Sequence, residues 1–514
     1  MNGRIGQFSI AAGLLATLIV ASPLDAQERR VIELTLDRMV ELTLSNSYRF
    51  RELNMDIDRT RYQLNAERAR LRSRVDLELS VPTFESISET KWNAVLGRNE
   101  IIHEDTRRWQ AELSIEQPVI LFGFPTNGYL SLNNRVYRYL QVEDDGTNDI
   151  QYYNQYFVRY TQPLFQPNEL KNDLEEAQLD LEEAELEFYG DMVEMVDDLS
   201  SDYLRLFEDA YGQLINEAYL ANLQRTVALT TAAVEEDPTR GIELDQVRVE
   251  LANAQEQLQR SRSEFRLEAA SLKTRLNLAQ ADSITLDPLI AMRPVAIDVE
   301  QATQYALELT PRMRELDIEY RLNEIELEQT RGRNAFRVDL ELTYGREMQD
   351  PLFRHLFARP TNTYTVDVNA YLPIWDWGER SSRIEASRIS LRQTELRMDE
   401  AEVQIVSNVE NEVRNIEEFQ NRALAMQDNL ELATVLSSSS LDRYAEGSGS
   451  LLDVLQSFRR EVDTANNLLD AYVGWRNALL RMQELTYYDF ELGMPVMERF
   501  GVALPDPETL PDSS

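Results

Sequence analysis

The hexapeptide Arg-Val-Asp-Leu-Glu-Leu stands at Arg74–Leu79 and again at Arg337–Leu342, 263 residues further on. At the same offset Arg51-Glu-Leu-Asn54 lies over Arg314-Glu-Leu-Asp317, so the stretch between the anchors aligns without a gap. A duplication on this scale constrains the fold more than composition does, because whatever one half builds, the other builds again. Each copy opens with helical spacing, up to about residues 71 and 334, and then changes to a period of two. Val75, Leu77, Leu79 and Val81 alternate with Arg74, Asp76, Glu78 and Ser80, and Val338, Leu340, Leu342 and Tyr344 do the same in the second copy. Such alternation predicts a strand with one apolar and one polar face.

Downstream the offset falls to 210: Pro163-Leu-Phe165 lies over Pro373-Ile-Trp375, each closing a second alternating strand. Proline fits there because it ends a ladder and cannot sit inside the helix that follows. The first half therefore carries 53 extra residues between its strands. Proline-free stretches follow, from Asn168 to about Glu235 and from Trp377 to about Ala445. As helices they reach roughly 100 Å each. Ile384, Leu391, Met398 and Ile405 are seven apart, then Val409 comes after four and Ile416 after seven. Leu174, Leu181, Phe188, Met195, Leu199 and Leu206 repeat that seam in the first copy. Heptads imply packing against neighbouring helices, and the four-residue step relaxes the supercoil locally.

Each long helix ends in a turn and a shorter returning helix. The turns are Asp237-Pro-Thr-Arg-Gly241 and Tyr444-Ala-Glu-Gly-Ser-Gly449, with helices to about Leu278 and Leu485. The expected division is a signal peptide over 1–26, a first repeat over 27–281, a linker over 282–296, a second repeat over 297–490 and a tail over 491–514. The signal is read from Arg4, the apolar Ile10–Ala21 and a cleavage near Ala26. The absence of cysteine excludes a lipidated N-terminal cysteine and fits an exported chain without disulfides. A net charge of −38 argues against nucleic acid or an anionic membrane surface as partner. After the signal no run of 18 apolar residues occurs, so a membrane-embedded form of this chain is a β-barrel. Four clear strands cannot close one, and a sheet in lipid cannot keep open edges. Several copies must complete the wall, with the long helices continuing it.

Two motifs carry a family resemblance: Tyr444-Ala-Glu-Gly-Ser-Gly-Ser-Leu-Leu-Asp-Val-Leu-Gln456 and Pro373-Ile-Trp-Asp-Trp-Gly378. With the tandem order of elements, the chain from about Val31 to Tyr488 resembles the TolC-type outer-membrane channels of efflux pumps and type I secretion systems. That resemblance implies a predominantly helical mixed α/β protomer of a homotrimer. Its twelve-strand barrel sits among outer-membrane lipid, and a periplasmic coiled-coil α-barrel continues it. The resemblance also implies a periplasmic adaptor, an inner-membrane transporter of RND, ABC or MFS type, no cofactor and no enzymatic activity. The resting tip would be held by a hydrogen bond from Tyr444 to Asp245. Arg240 would serve in place of the family's arginine, whose position Gly449 occupies. Asp453 would form a pore-narrowing ring, with Gln456 where a second aspartate is frequent. Gly241, Gly447 and Gly449 would make the tip turns, and Pro163, Pro373, Trp375 and Trp377 the junctions of barrel and helix.

Other readings stand beside these. Asp245 and Asp453 also suit helix caps or first turns. Asp173–Asp198, with twelve acidic residues and no basic one, suits a solvated helix face or, less readily, a conduit lining. The aromatics Tyr152, Tyr153, Tyr156, Phe157 and Tyr160, with Trp109, Trp375 and Trp377, fit girdles at the membrane boundary, although a soluble sandwich core also uses aromatics. The extra segment, about 82–149, is expected as a hairpin projecting beyond the barrel; the alternative is two added wall strands. His103 and His355 have no partner motif, and no phosphate loop, dinucleotide turn, metal spacing or nucleophile elbow occurs. The rival to a channel is a periplasmic coiled-coil scaffold or tether.

Overall fold

A computed structural model of the chain describes residues 31–93, 97–142 and 148–499. The proposed signal peptide lies outside the described residues, as does the tail beyond Arg499.

The first repeat opens with β1 (Val31–Glu33), α1 (Leu36–Asn46) and α2 (Tyr48–Arg70). Four strands follow: β2 (Arg74–Asn93), β3 (Arg98–Leu121), β4 (Phe124–Val142) and β5 (Asn148–Leu164). Then come the long α3 (Glu169–Glu236), a 3-10 turn at Pro238–Arg240, and α4 (Gly241–Arg275). Between the repeats β6 (Ser283–Thr285) pairs in parallel with β1. The second repeat runs through α5 (Val299–Glu308), α6 (Arg312–Gly332), β7 (Arg337–Asp350), β8 (Thr361–Tyr371), α7 (Glu379–Ala445) and α8 (Leu451–Thr486). It ends in a small hairpin, β9 (Tyr488–Asp489) with β10 (Met494–Pro495), and α9 (Val496–Arg499).

Both long helices are present at the expected length, 68 and 67 residues, and each begins where local chemistry stops the sheet. Asn168 caps α3, its side chain accepting from the Lys171 N–H at 3.1 Å. Trp377 and Gly378 take φ of +54° and +83°, and that left-handed step turns the chain from β8 into α7. Burial along the heptad seam is graded. Leu206, Val409 and Ile416 are at most 1% exposed, whereas Leu174, Ile384 and Leu391, nearer the sheet, are half-buried. The seam is filled within the chain below the stutter and only partly above it.

The sheet departs from expectation. Six strands form one antiparallel sheet in the order β2-β3-β4-β5-β7-β8. The extra segment is therefore not only a projecting hairpin, because β3 and β4 are inserted into the wall between β2 and β5. Pairing begins at the level of the hexapeptide, Arg74 opposite Glu116, and Glu116 in turn opposite Ser131. The physical reason is edge satisfaction: two more strands bonded along their length leave fewer unpaired backbone groups than a free hairpin. Part of the hairpin does overhang, since the β2–β3 pairing runs on to Asn93 opposite Arg98 whereas β4 ends opposite Asp105. Pro82 sits at the register shift between Ser80 and Thr83, a place where a missing N–H costs little.

Candidate functional site: a two-faced sheet, two open edges and a tip

Register assigns every strand residue to a face. On one face lie Val75, Leu77 and Leu79 of β2, Ile115, Leu113 and Trp109 of β3, Leu130, Leu132 and Val136 of β4, and Tyr160 and Val158 of β5. Leu340, Leu342 and Tyr344 of β7 and Val368, Val366 and Tyr364 of β8 continue that belt. The opposite face is polar. Arg135 forks onto Glu112 at 2.8 and 3.2 Å, and Arg159 reaches Glu341 at 3.0 Å. No described helix is long and apolar enough to cross a membrane. An apolar belt backed by a charged face is what a barrel in lipid with a wet interior requires.

Trp375 and Trp377 are 74% and 89% exposed and stack edge to face at 5.5 Å where the sheet meets α7. Pro163 pairs with Asp339 one residue before β5 ends, and Pro373 follows β8. Both prolines thus stand where ladder gives way to helix.

The edges of sheet and helix layers coincide. Near the sheet, α2 packs on α3, α3 on α6 and α6 on α7. One margin of the chain is therefore β2 with α2, and the other β8 with α7. Both margins are bare: Tyr48, Met55 and Tyr62 of α2 are 69–74% exposed at heptad spacing, as are Leu396 and Val403 of α7 at 67% and 71%. Farther down the order becomes α4, α3, α8, α7, with Ile242 and Val249 exposed on α4 and Leu432 and Leu436 on α7.

The acidic stretch of α3 is in part a paired face and in part a solvated one, with Asp180, Glu187 and Asp198 exposed. Asp173 and Glu185 meet Arg70 and Arg61 of α2. On the other side Glu175 and Glu182 meet Arg321 and Arg314 of α6, at 2.6 and 2.5 Å. Those four carboxylates are matched by arginines from both neighbouring helices.

At the far end the two turns are built differently. Asp237 caps the first, its Oδ1 accepting from Thr239 N–H and O–H at 3.0 and 2.7 Å, which holds the Asp237 carboxyl below its usual range. Gly241 has an ordinary right-handed φ of −56° with open space around it, so it is no turn glycine; Asp237 and Pro238 make that bend. In the second turn Gly447 takes φ of +77°, and a Cβ on Gly449 would lie 3.1 Å from the Tyr444 nitrogen. The N–H groups of Ser448 and Gly449 close onto the Arg443 carbonyl at 2.9 and 3.0 Å.

Tyr444 is 3% exposed and bridges three helices. Its hydroxyl lies 2.9 Å from Thr230 Oγ1 of α3 and donates to Glu243 Oε2 of α4 at 3.1 Å. The same oxygen accepts from Arg240 Nε and an Arg240 terminal nitrogen at 3.1 and 2.8 Å, and the guanidinium lies 5.2 Å from the Tyr444 ring centre. Burial raises the phenol's pKa. The expected acceptor, Asp245, is not the partner. Its side chain is 81% exposed, 3.9 Å from Arg248. Two residues along a helix is a turn of about 200°, so Glu243 and Asp245 cannot both face Tyr444. The spacing Arg240-x-x-Glu243 is the signal that would have identified the acceptor. Asp453 is exposed in the first turn of α8 and shares a reciprocal cap with Ser450: Ser450 Oγ accepts from the Asp453 N–H at 3.2 Å and donates to its carboxylate at 2.8 Å. Gln456 is exposed one turn on.

Residues 303–486, nearly the whole second repeat, match the family model described as Outer membrane efflux protein. No curated protein matches the chain in sequence. Among solved structures, the outer membrane protein VceC of Vibrio cholerae superposes with a TM-score of 0.63 at 14% identity, covering 88% of this chain and 96% of that one. The CmeC outer membrane channel of Campylobacter jejuni gives 0.64 at 12% identity over 95% of both. CusC, studied for its folding and transmembrane channel formation, gives 0.63 at 15%, over 89% and 93%. At such identities the likeness is one of fold, and the family match covers the second repeat. Residues 303–486 thus match the outer membrane efflux protein family model, and the chain as a whole has the fold of these outer-membrane channel structures.

Proposed function

We propose that three copies of this chain close into one exit duct across the outer membrane, fed by a periplasmic adaptor and an inner-membrane transporter. The observation that carries the reading is the coincidence of bare margins, β2 with α2 and α4 on one side and β8 with α7 on the other. In lipid each unpaired backbone group costs several kcal/mol, so β8 of one copy must take β2 of the next. Those strands run antiparallel, as every other pair in the sheet does. Widths agree as well: six tilted strands span about 38 Å of circumference, and four helices side by side span about the same. Three copies then contribute six strands each, eighteen in all, rather than the twelve expected from four per chain.

In this duct Tyr444, Glu243 and Arg240 hold the α3–α4 pair against the α7–α8 pair and keep the tip shut until the adaptor and transporter engage it. Asp453, repeated about the axis, gathers negative potential at the narrowest point and favours cations there, with Gln456 beside it. The drive for transport comes from the partner, since the sequence has no phosphate-binding loop.

The chain has no cysteine, so introduced pairs report cleanly. A panel combining Val75, Leu77 or Leu79→Cys with Val366 or Val368→Cys should, on oxidation in membranes, give a ladder that stops at three subunits. A ladder ending at two overturns the count, and a water-soluble monomer without conductance in planar bilayers returns the scaffold reading.

A further inference from the structure

The belt facing lipid is interrupted in a repeated way. On β3 the outward run Ile115, Leu113, Ala111, Trp109 is followed, away from the helices, by Arg107. On β4 the outward positions up to Val136 are followed by Arg138, and on β7 the run ending at Tyr344 is followed by Arg346. Three of six strands thus place an arginine on the lipid side towards the distal part of the apolar band, with Leu140 on β4 and Met348 on β7 the next residues beyond on the same face.

On the inner face Arg108 rests on the Tyr137 ring at 4.7 Å, and Arg135 and Arg159 there are paired with Glu112 and Glu341. Among the described residues Arg107, Arg138 and Arg346 make no ion pair. Arg107 lies 5.6 Å from the centre of the Phe84 ring, Arg138 lies 4.6 Å from Trp109, and Arg346 donates to Asn362 Oδ1 at 3.1 Å. Rings and an amide hold the guanidinium groups without consuming their charge. A cation on the lipid side is tolerated at the rim of a bilayer and calls there for an anionic partner. Guanidinium forks match phosphate.

We infer that Arg107, Arg138 and Arg346 form a docking rim for the phosphate groups of anionic lipid in the outer leaflet. The inference rests on the channel reading, which places this face against the bilayer. About 1 kcal/mol per arginine makes the expected loss roughly fivefold for one substitution and about a hundredfold for all three.

Native mass spectrometry of the assembled protein in uncharged detergent, titrated with diphosphoryl lipid A, measures retention directly. Wild type should retain the lipid, R107Q/R138Q/R346Q should lose it by about that factor, and R135Q, altered on the inner face, should retain it. Equal retention by the triple variant, equal loss in R135Q, or full displacement by inorganic phosphate at matched concentration overturns the lipid rim. Subunit count and conductance of the same preparations separate the two readings. Protein that assembles and conducts without phosphate preference sinks the rim alone; protein that never assembles sinks both.

Discussion

Tyr444→Phe removes one oxygen and keeps the ring that packs with Val454 and Phe458 and receives Arg240. Two hydrogen bonds disappear. The partners are not equally harmed: Thr230, which donates to the Tyr444 oxygen while that hydroxyl donates to Glu243, can turn its proton to the Thr226 carbonyl at 2.8 Å, and Glu243 keeps the Arg240 fork. The loss is therefore about 1 kcal/mol for the neutral bond and about the same for the bond to a carboxylate that is a third exposed. A total of about 2 kcal/mol corresponds to a factor of roughly 30 in the ratio of loosened to closed tips. Hydrogen exchange at the first amides of α4 and at the end of α7 should accelerate by that factor, and resting open probability in planar bilayers should rise. Asp245→Ala should leave this exchange unaltered, because its carboxylate faces away. Unchanged exchange in Tyr444→Phe, or acceleration only in Asp245→Ala, would refute the proposed lock.

Gly332→Ala should lower the melting temperature of the upper helical layer, because a Cβ there would lie 2.2 Å from Cδ of Pro167, a ring that cannot rotate away. A cost of about 1–3 kcal/mol is expected, and an unshifted melt would show that the α6 end and the β5–α3 connection slide freely. Asp197 and Asp209 on α3 have pKa values raised to about 6, first by burial and then by Glu484 and Glu264 respectively. The fold thus favours their protonated forms. They oppose folding at neutral pH, and that opposition fades as pH falls through about 6 towards about 4, where the unfolded chain also protonates. Thermal stability of the helical part should therefore gain from these groups between about pH 7.5 and pH 5. Asp197→Asn with Asp209→Asn should be the more stable protein at the higher pH and show a smaller gain; identical profiles would exclude the two carboxylates.

What the sequence disclosed, and what it hid, follows from the range of the interactions. Periodicity is local, so α3, α7, their returning helices and the belt strands were legible to within a few residues, as were Gly447 and Gly449 with the long turn they close. The strand character of Trp109, Ala111, Leu113 and Ile115 was visible too. Their place in the wall was not, because pairing β3 between β2 and β4 is a non-local choice on which alternation is silent. The four-strand expectation came from counting only the alternating strands shared by both repeats, and it was too low. The acidic stretch of α3 was ambiguous for a related reason: its arginines lie on α2 and α6, some 100 or more residues away in sequence. At the tip, helix phase alone separates Glu243 from Asp245, and that phase depends on where α4 begins. Gly241 had suggested a turn residue, whereas it is already helical.

The two margins of the chain come from different repeats, and this has a genetic consequence. Within one polypeptide the last strand of the first repeat joins the first strand of the second; in the proposed ring the last strand of the second joins the first strand of the first in the next copy. The joint is head-to-tail and never self-paired. A copy crippled on one flank still enters a ring through its sound flank and leaves the circle unsealed. When such a copy and the intact one are made in equal amounts, roughly one three-membered ring in eight is free of damage, so mutations along either flank should behave as dominant in a mixed cell.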